Sequence, residues 1–308
     1  MRRCLVLLVF AALRLEASCG SASCPIDLHA LNRPMAGHFT LDLSLQYIDQ
    51  DRLRSRAGFE AFPVEHRELR TINRTAALTL SYGLTERLQL SASAPYIART
   101  HEHIESASGD LERWNLHGIG DTMLQARYRF GGDFWALAGV KLPTGASTKS
   151  NGEERAEIPV QPGTGATDAI IGLAYEGGIV RSTAAQGPLG NNAFIPLFVS
   201  ATYRRNGTAH DYTVGDEWQV NAGTAYPLSS SMELLLQANA RVRARDDSPD
   251  EEDRLLTGGR YLFLSPGVRI SAGRAAWYAL LQFPLYQRVN GIQLTSQRNV
   301  ISGVQWRF

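Results

Sequence analysis

Met232-Glu233-Leu234-Leu235-Leu236-Gln237-Ala238-Asn239-Ala240-Arg241-Val242-Arg243 is the stretch that decides the fold. Met232, Leu234, Leu236, Ala238, Ala240 and Val242 form one row, and Glu233, Gln237, Asn239, Arg241 and Arg243 lie between them. A helix would set Arg241 and Arg243 about 200° apart, whereas a strand puts both on one face. The segment therefore reads as a strand with one apolar and one polar face. The same period of two orders Phe39, Leu41, Leu43, Leu45 and Tyr47, with Thr40, Asp42, Ser44 and Gln46 interleaved.

About twelve such segments follow one another: roughly 38–49, 68–83, 87–99, 119–130, 134–143, 166–178, 192–205, 212–226, 232–245, 260–271, 275–288 and 294–308. Their lengths match or exceed the roughly 9 to 11 residues with which a tilted strand crosses a bilayer. The connections alternate too. Long ones (50–67, 100–117, 144–165, 246–258) follow odd-numbered segments, and short ones (Thr85-Glu86, Gly131-Gly132-Asp133, Leu228 to Ser230, Ala272-Gly273) follow even-numbered ones. The connection near 179–191 is long for its side, and those at 206–211 and 289–291 are short for theirs. Short turns on one rim and long loops on the other are the plan of an outer-membrane barrel.

A soluble sandwich or lipocalin-like barrel also alternates, but it points its apolar face inward, and a membrane barrel inverts this. Strands well beyond the usual 5 to 6 residues favour inversion. So does the ending Val300, Ser302, Val304, Trp306, Phe308, which resembles the signal read by the outer-membrane barrel assembly machinery, with Phe308 as its last residue. The expectation is an all-β protein, a transmembrane antiparallel up-and-down barrel of about twelve strands over 38–308. Most acids and bases should then sit in the loops and lumen, with almost none facing lipid between the rims.

The bulk numbers agree. The chain has 308 residues, with Lys plus Arg 31 against Asp plus Glu 30 and a net charge of +1, which argues against an electrostatic nucleic-acid binder. Charged residues are 20% and hydrophobic ones 44%, so disorder is excluded as a general state. No run reaches the roughly 18 apolar residues of a spanning helix. Met1-Arg2-Arg3, an apolar run from Cys4 to Leu13 and a small, polar stretch to Cys24 read as a secretory signal peptide over 1–23. A short periplasmic segment, 24–37, would precede the barrel. Glu16 and Ser21 stand where a lipidation site at Cys19 or Cys24 wants an aliphatic residue, so lipidation is the weaker alternative. Beyond Cys24 the chain has no cysteine, which excludes disulfides and Cys-based metal sites from the body.

With the apolar face on lipid, the lumen receives Asp42, Asp121, Arg127, Lys141, Asp168, Glu217, Glu233, Arg241, Arg243 and Arg269. These residues either pair across a narrow lumen or line a selectivity path, where Arg241, Arg243 and Arg269 together would attract anionic or polar solutes. Tyr212, Tyr226, Trp277, Tyr286 and Trp306 fall near strand ends, where girdle aromatics belong. Phe194 and Phe198 fall on the lumenal side. His101-Glu102-His103-Ile104-Glu105 is the best metal candidate, since alternate residues of an extended segment point one way and bring His101 and His103 together with Glu105. No Ser lies in a Gly-x-Ser-x-Gly frame. Gly118-Ile119-Gly120-Asp121 and Gly163-Thr164-Gly165-Ala166-Thr167-Asp168 lack the remaining parts of nucleotide loops, and close backbone approach explains their glycines more simply. No catalytic residue and no cofactor is assigned.

Tyr47-Ile48-Asp49-Gln50-Asp51-Arg52, Ala94-Pro95-Tyr96, Gly118-Ile119-Gly120-Asp121, Lys141-Leu142-Pro143-Thr144-Gly145 and Gln161-Pro162-Gly163-Thr164-Gly165-Ala166-Thr167-Asp168 carry a family resemblance. In kind and in order they resemble the recurring blocks of the MetA-pathway phenol-degradation family of outer-membrane barrels. The resemblance implies a transporter-like protein tied to uptake of aromatic or hydrophobic compounds, and it transfers no binding residue. The expected function is a channel for small molecules, without enzymatic chemistry. The alternatives are an esterase- or lipase-like barrel enzyme, and a structural or metal-sensing surface barrel. Expected partners are outer-membrane lipid, the assembly machinery and a small solute.

Overall fold

The structure, a computed structural model, describes residues 26–27, 35–59, 68–104, 109–150, 155–182 and 192–308. The expected signal segment 1–23, with Cys4, Cys19, the neighbouring Cys24, and Glu105 of the histidine motif, lies outside the described residues.

Twelve strands form a closed antiparallel barrel. They are β1 (Phe39–Ser55), β2 (Glu68–Gly83), β3 (Leu88–Ile104), β4 in two pieces (Leu111–Ile119 and Thr122–Gly131), β5 (Phe134–Leu142), β6 (Asp168–Ser182), β7 (Asn192–Arg205), β8 (Glu217–Pro227), β9 (Met232–Arg243), β10 (Gly259–Ala272), β11 (Ala275–Val289) and β12 (Ile292–Arg307). Each pairs with the next, and β12 returns to β1 with Thr40 opposite Arg307 and Leu41 opposite Trp306. Closure pairs both edges, as a lipid environment demands of every backbone N–H and C=O.

Turn chemistry sets the short rim. Gly132 (φ 51°) and Gly273 (φ 58°) supply left-handed backbone in the β4–β5 and β10–β11 turns. At the β2–β3 turn the Thr85 hydroxyl accepts from the N–H groups of Arg87 (3.1 Å) and Leu88 (2.9 Å). Apart from the one between Ser182 and Asn192, the longer connections emerge at the other end. They carry a two-residue strand, Gly58–Phe59, a small hairpin of Thr208–Ala209 with Tyr212–Thr213, and one short helix, α1 (Glu251–Leu256).

The alternation read from the sequence is the alternation of burial. On β9 Leu234, Leu236 and Val242 are exposed, while Gln237, Asn239, Arg241 and Arg243 are buried. On β11 Trp277, Leu281, Phe283 and Tyr286 face outward. At about 3.3 Å per residue and a strand tilt near 40°, Trp277 to Tyr286 spans roughly 20–25 Å, the height of a lipid-facing band. Among the described residues, charged side chains reach the outer surface of the strands only toward the loop end. There Arg74 lies 5.8 Å from the Tyr47 ring, Arg70 pairs with Asp49 (2.6 Å), and Arg113 pairs with Glu102 (2.6 Å).

Two expectations are corrected. The stretch 100–117 is not chiefly a loop: β3 runs on through His101 and His103, and Leu111–Ile119 forms the first piece of β4. β8 begins at Glu217 rather than 212, and Tyr212 is no girdle residue, because it is buried with its hydroxyl bound to Asp246. The lumenal face is not uniformly polar. Ala225, Leu235, Tyr278, Leu280 and Ile301 form an apolar cluster on it, and Ile26 of the N-terminal segment packs there.

β4 breaks at Gly120-Asp121, and its faces exchange across the break. Leu111 and Ile119, both odd-numbered, are exposed before it, and Leu124, Tyr128 and Phe130, all even-numbered, after it. The break turns Asp121 toward the first residues of the connection after β5.

Candidate functional site in the lumen

Asp121 organises the loop end of the lumen. One of its oxygens accepts from the Gly145 N–H (3.0 Å), and the other from the Thr164 N–H (2.9 Å), the Thr164 hydroxyl (3.1 Å) and Lys141 Nζ (2.8 Å). Lys141 also donates to Asp168 (2.9 Å), whose second oxygen accepts from the Gly207 N–H (3.1 Å). Three predicted lumenal residues thus form one clamp. It holds both arms of the connection between β5 and β6 and reaches the start of the next long connection. Gly120, Gly145 and Gly163 meet beneath it. A Cβ on Gly145 would lie 2.7 Å from the Gly120 carbonyl carbon and 2.8 Å from the Gly163 Cα, so only glycine allows three backbones to cross there. This is the physical reason for three of the five glycines in the family-like blocks.

The clamped connection turns inward. Ala156 and Val160 bury against Trp114 and Leu116 of β4, and Arg99 of β3 donates to the Pro159 carbonyl (2.5 Å). Below it lies a cavity of about 350 Å³. Its lining is mixed: Ile48, Ile97, Ile158 and Pro159 stand with Gln50, Asn73 and Arg99, and the β7–β9 wall adds Arg204, Glu217, Arg241 and Arg243.

The predicted arginine trio does not assemble. Arg241 binds Glu217 (2.5 Å), with Arg204 at 3.7 Å from the same carboxylate, and Arg243 binds Asp246 (2.5 Å). Arg269 stands apart toward the short-turn end, opposite Glu233 in the β9–β10 register and 3.3 Å from it. All three carry carboxylate partners. The remaining predicted lumenal residues are inside but belong to other groups. Asp42 accepts from the Tyr278 hydroxyl (3.0 Å), and Arg127 forms a buried ion pair with Glu176, its guanidinium 5.1 Å from the Trp135 ring. Between the two ends runs a ladder of neutral groups in which Asn239 donates to Asn221 (2.8 Å), Ser265 to Asn239 (2.7 Å) and Asn299 to Gln282 (2.8 Å). At the short-turn end the Asp27 carbonyl accepts from Gln237 (3.1 Å), next to the seat of Ile26.

Phe198 is buried in the lumen, whereas Phe194 is exposed near the short-turn rim. His101 and His103 share a face with rings 5.3 Å apart, as the spacing implied. Each has a protein partner: His101 bonds the Thr71 hydroxyl (2.9 Å), and His103 pairs with Glu112 (3.0 Å). Glu102 points the other way, to Arg113. Among the described residues no group of three or more His, Cys, Asp or Glu has a metal-binding arrangement.

Sequence reasoning missed Glu176, although its even spacing from Asp168 on one strand was a usable signal. It also missed Ser147 and His210, whose side chains meet at 3.1 Å between two loops and which share no motif.

No family model and no curated protein matches the sequence, so the phenol-degradation resemblance rests on its residue blocks. Solved structures do match. The chain is similar to an outer-membrane channel from Pseudomonas putida F1, with a TM-score of 0.61 and 13% identity over 92% of this chain and 100% of that one. It is also similar to the transport unit of the autotransporter AIDA-I from Escherichia coli, with a TM-score of 0.51 and 11% identity over 92% and 93%. At these identities the likeness establishes the fold, a closed twelve-stranded barrel of the outer-membrane kind.

Proposed function

We propose that the chain is an outer-membrane channel that passes small molecules, with hydrophobic or aromatic compounds as the class that suits it. The observation that carries this is the cavity of about 350 Å³ beneath the inward connection, whose lining mixes apolar side chains with polar and charged ones. Its size falls within the range of about 300 to 1,000 Å³ that small-molecule sites occupy. The similar structure from Pseudomonas putida F1 is itself described as a channel, which supports the reading. So do the family-like blocks, which would make the chain a relative of the phenol-degradation barrels. Delivery would use the 1–23 leader and recognition of Phe308 by the assembly machinery. Planar-bilayer conductance and solute flux into liposomes test the proposal. Conductance that falls when an aromatic solute occupies the lumen is the expected result, and a folded barrel with neither conductance nor flux overturns it.

The Ser147–His210 contact gives the enzyme reading a specific observation. Ser147 would be the nucleophile and His210 the base. Labelling by a fluorophosphonate that disappears in Ser147→Ala would support a hydrolase. No labelling of the folded wild-type barrel would remove it.

A further inference from the structure

Arg260 on β10 and Arg288 on β11 stand directly opposite each other in the strand register, and both are exposed on the outer surface. Cross-strand neighbours on one face have Cβ atoms about 4.5–5.5 Å apart, and like charges so placed repel. Two other outward arginines at this end are matched, Arg70 by Asp49 and Arg113 by Glu102, and Arg74 lies by the Tyr47 ring. Arg260 and Arg288 have no hydrogen-bond or ion-pair partner among the described residues. The outward pair next to them toward the membrane is Leu262 and Tyr286, also mutually opposite. Two adjacent guanidinium groups thus sit over a lipid-facing apolar surface, at the end of the barrel opposite both strand termini.

We propose that this pair binds a phosphate of the phosphorylated acyl-chain glycolipid, lipid A, in the outer leaflet. Two guanidinium forks match a phosphate better than two ammonium groups would, and the anion turns a repulsive pair into a bridged one. The acyl chains then lie on Leu262 and Tyr286, so one ligand satisfies both the charged and the apolar surface. The proposal rests on the outer-membrane placement but not on conduction.

The test is native mass spectrometry of the detergent-solubilised full chain with bisphosphorylated lipid A, dephosphorylated lipid A and inorganic phosphate as probes. Retention of the bisphosphorylated form should fall about tenfold or more in Arg260→Gln with Arg288→Gln, while Arg113→Gln retains it. Heat-modified gel migration verifies folding of each variant, and Arg288→Gln alone gives an intermediate loss if the double variant does not fold. Equal retention by the variants, equal retention of dephosphorylated lipid, or displacement by inorganic phosphate as easily as by lipid A would each overturn the site. A barrel that binds lipid A without conducting ends the channel reading and leaves this one standing, and the converse result does the reverse.

Discussion

The two ends of the lumen solve the problem of buried polarity differently. At the loop end, Asp121, Lys141 and Asp168 are linked in series and spend their remaining hydrogen-bonding capacity on the backbone of Gly145, Thr164 and Gly207. At the short-turn end, Arg127 and Glu176 form a buried pair beside Trp135, and elsewhere on the wall Leu235, Leu280 and Ile301 receive Ile26. The first arrangement converts charge into loop position. The second ties β4 to β6 across β5, beside the apolar cluster of Trp135, Leu137 and Ala174. Ion pairs of similar burial therefore have different duties, one in shaping the path and one in holding the barrel.

The sharpest way to break this contrast is Glu176→Ala, which strands Arg127 inside the wall. It should lower the unfolding free energy by about 3–5 kcal/mol, while Arg127→Met combined with Glu176→Leu recovers most of it. Urea unfolding of the barrel refolded in vesicles measures both. A loss under about 1 kcal/mol for the single change would mean that the short-turn end does not depend on its pair.

Asp121→Ala should act on the path instead. It removes the acceptor for two backbone N–H groups and a hydroxyl, about 2–4 kcal/mol of loop anchoring. Conductance should rise severalfold and protease should cut within 147–157, with the unfolding midpoint nearly unchanged. A large shift of that midpoint would erase the distinction between the ends.

Ile26→Asp tests the dry seat. Loss of its apolar contact is worth about 1–2 kcal/mol of docking, and a modest conductance increase that adds independently to that of Asp121→Ala is expected. Smallest of all, Arg113→Gln breaks an exposed pair and should change stability by less than about 1 kcal/mol, with conductance unaltered.

Where lipid and water face each other across a strand, the sequence is legible: β9 and the lower part of β1 show it residue by residue. Beyond the lipid the contrast fades. Outward Arg113, Asn115 and His117 on β4 are polar while inward Trp114 and Leu116 are apolar, the reverse of the membrane pattern, so the strand around them looked like a loop. Within the lumen the pattern fails for the opposite reason. Leu235, Leu280 and Ile301 sit on the polar face because the N-terminal segment packs there, and a contact made by residues 26–27 leaves no periodic trace in the strands. The glycines of the family-like blocks were legible as points of close backbone approach, but their meeting at Asp121 joins residues up to 43 positions apart. Partnering was the least readable property, since Arg269 and Arg241 share a face and a charge yet answer to different carboxylates.

The seam between β1 and β12 has a consequence for how the barrel comes into being. It joins Thr40 to Arg307, the two ends of the strand order, with Phe39 and Phe308 exchanging backbone hydrogen bonds across it (3.3 and 2.9 Å). Hairpins such as β9–β10 can zip as soon as they emerge, whereas this pairing cannot start until the last strand exists. Until then two strand edges remain open, each a row of unsatisfied donors and acceptors that lipid does not tolerate and a stray strand would cap. Closure is thus the slow and vulnerable step, and lesions in Val300–Phe308 should appear as failed maturation of an otherwise sound sheet.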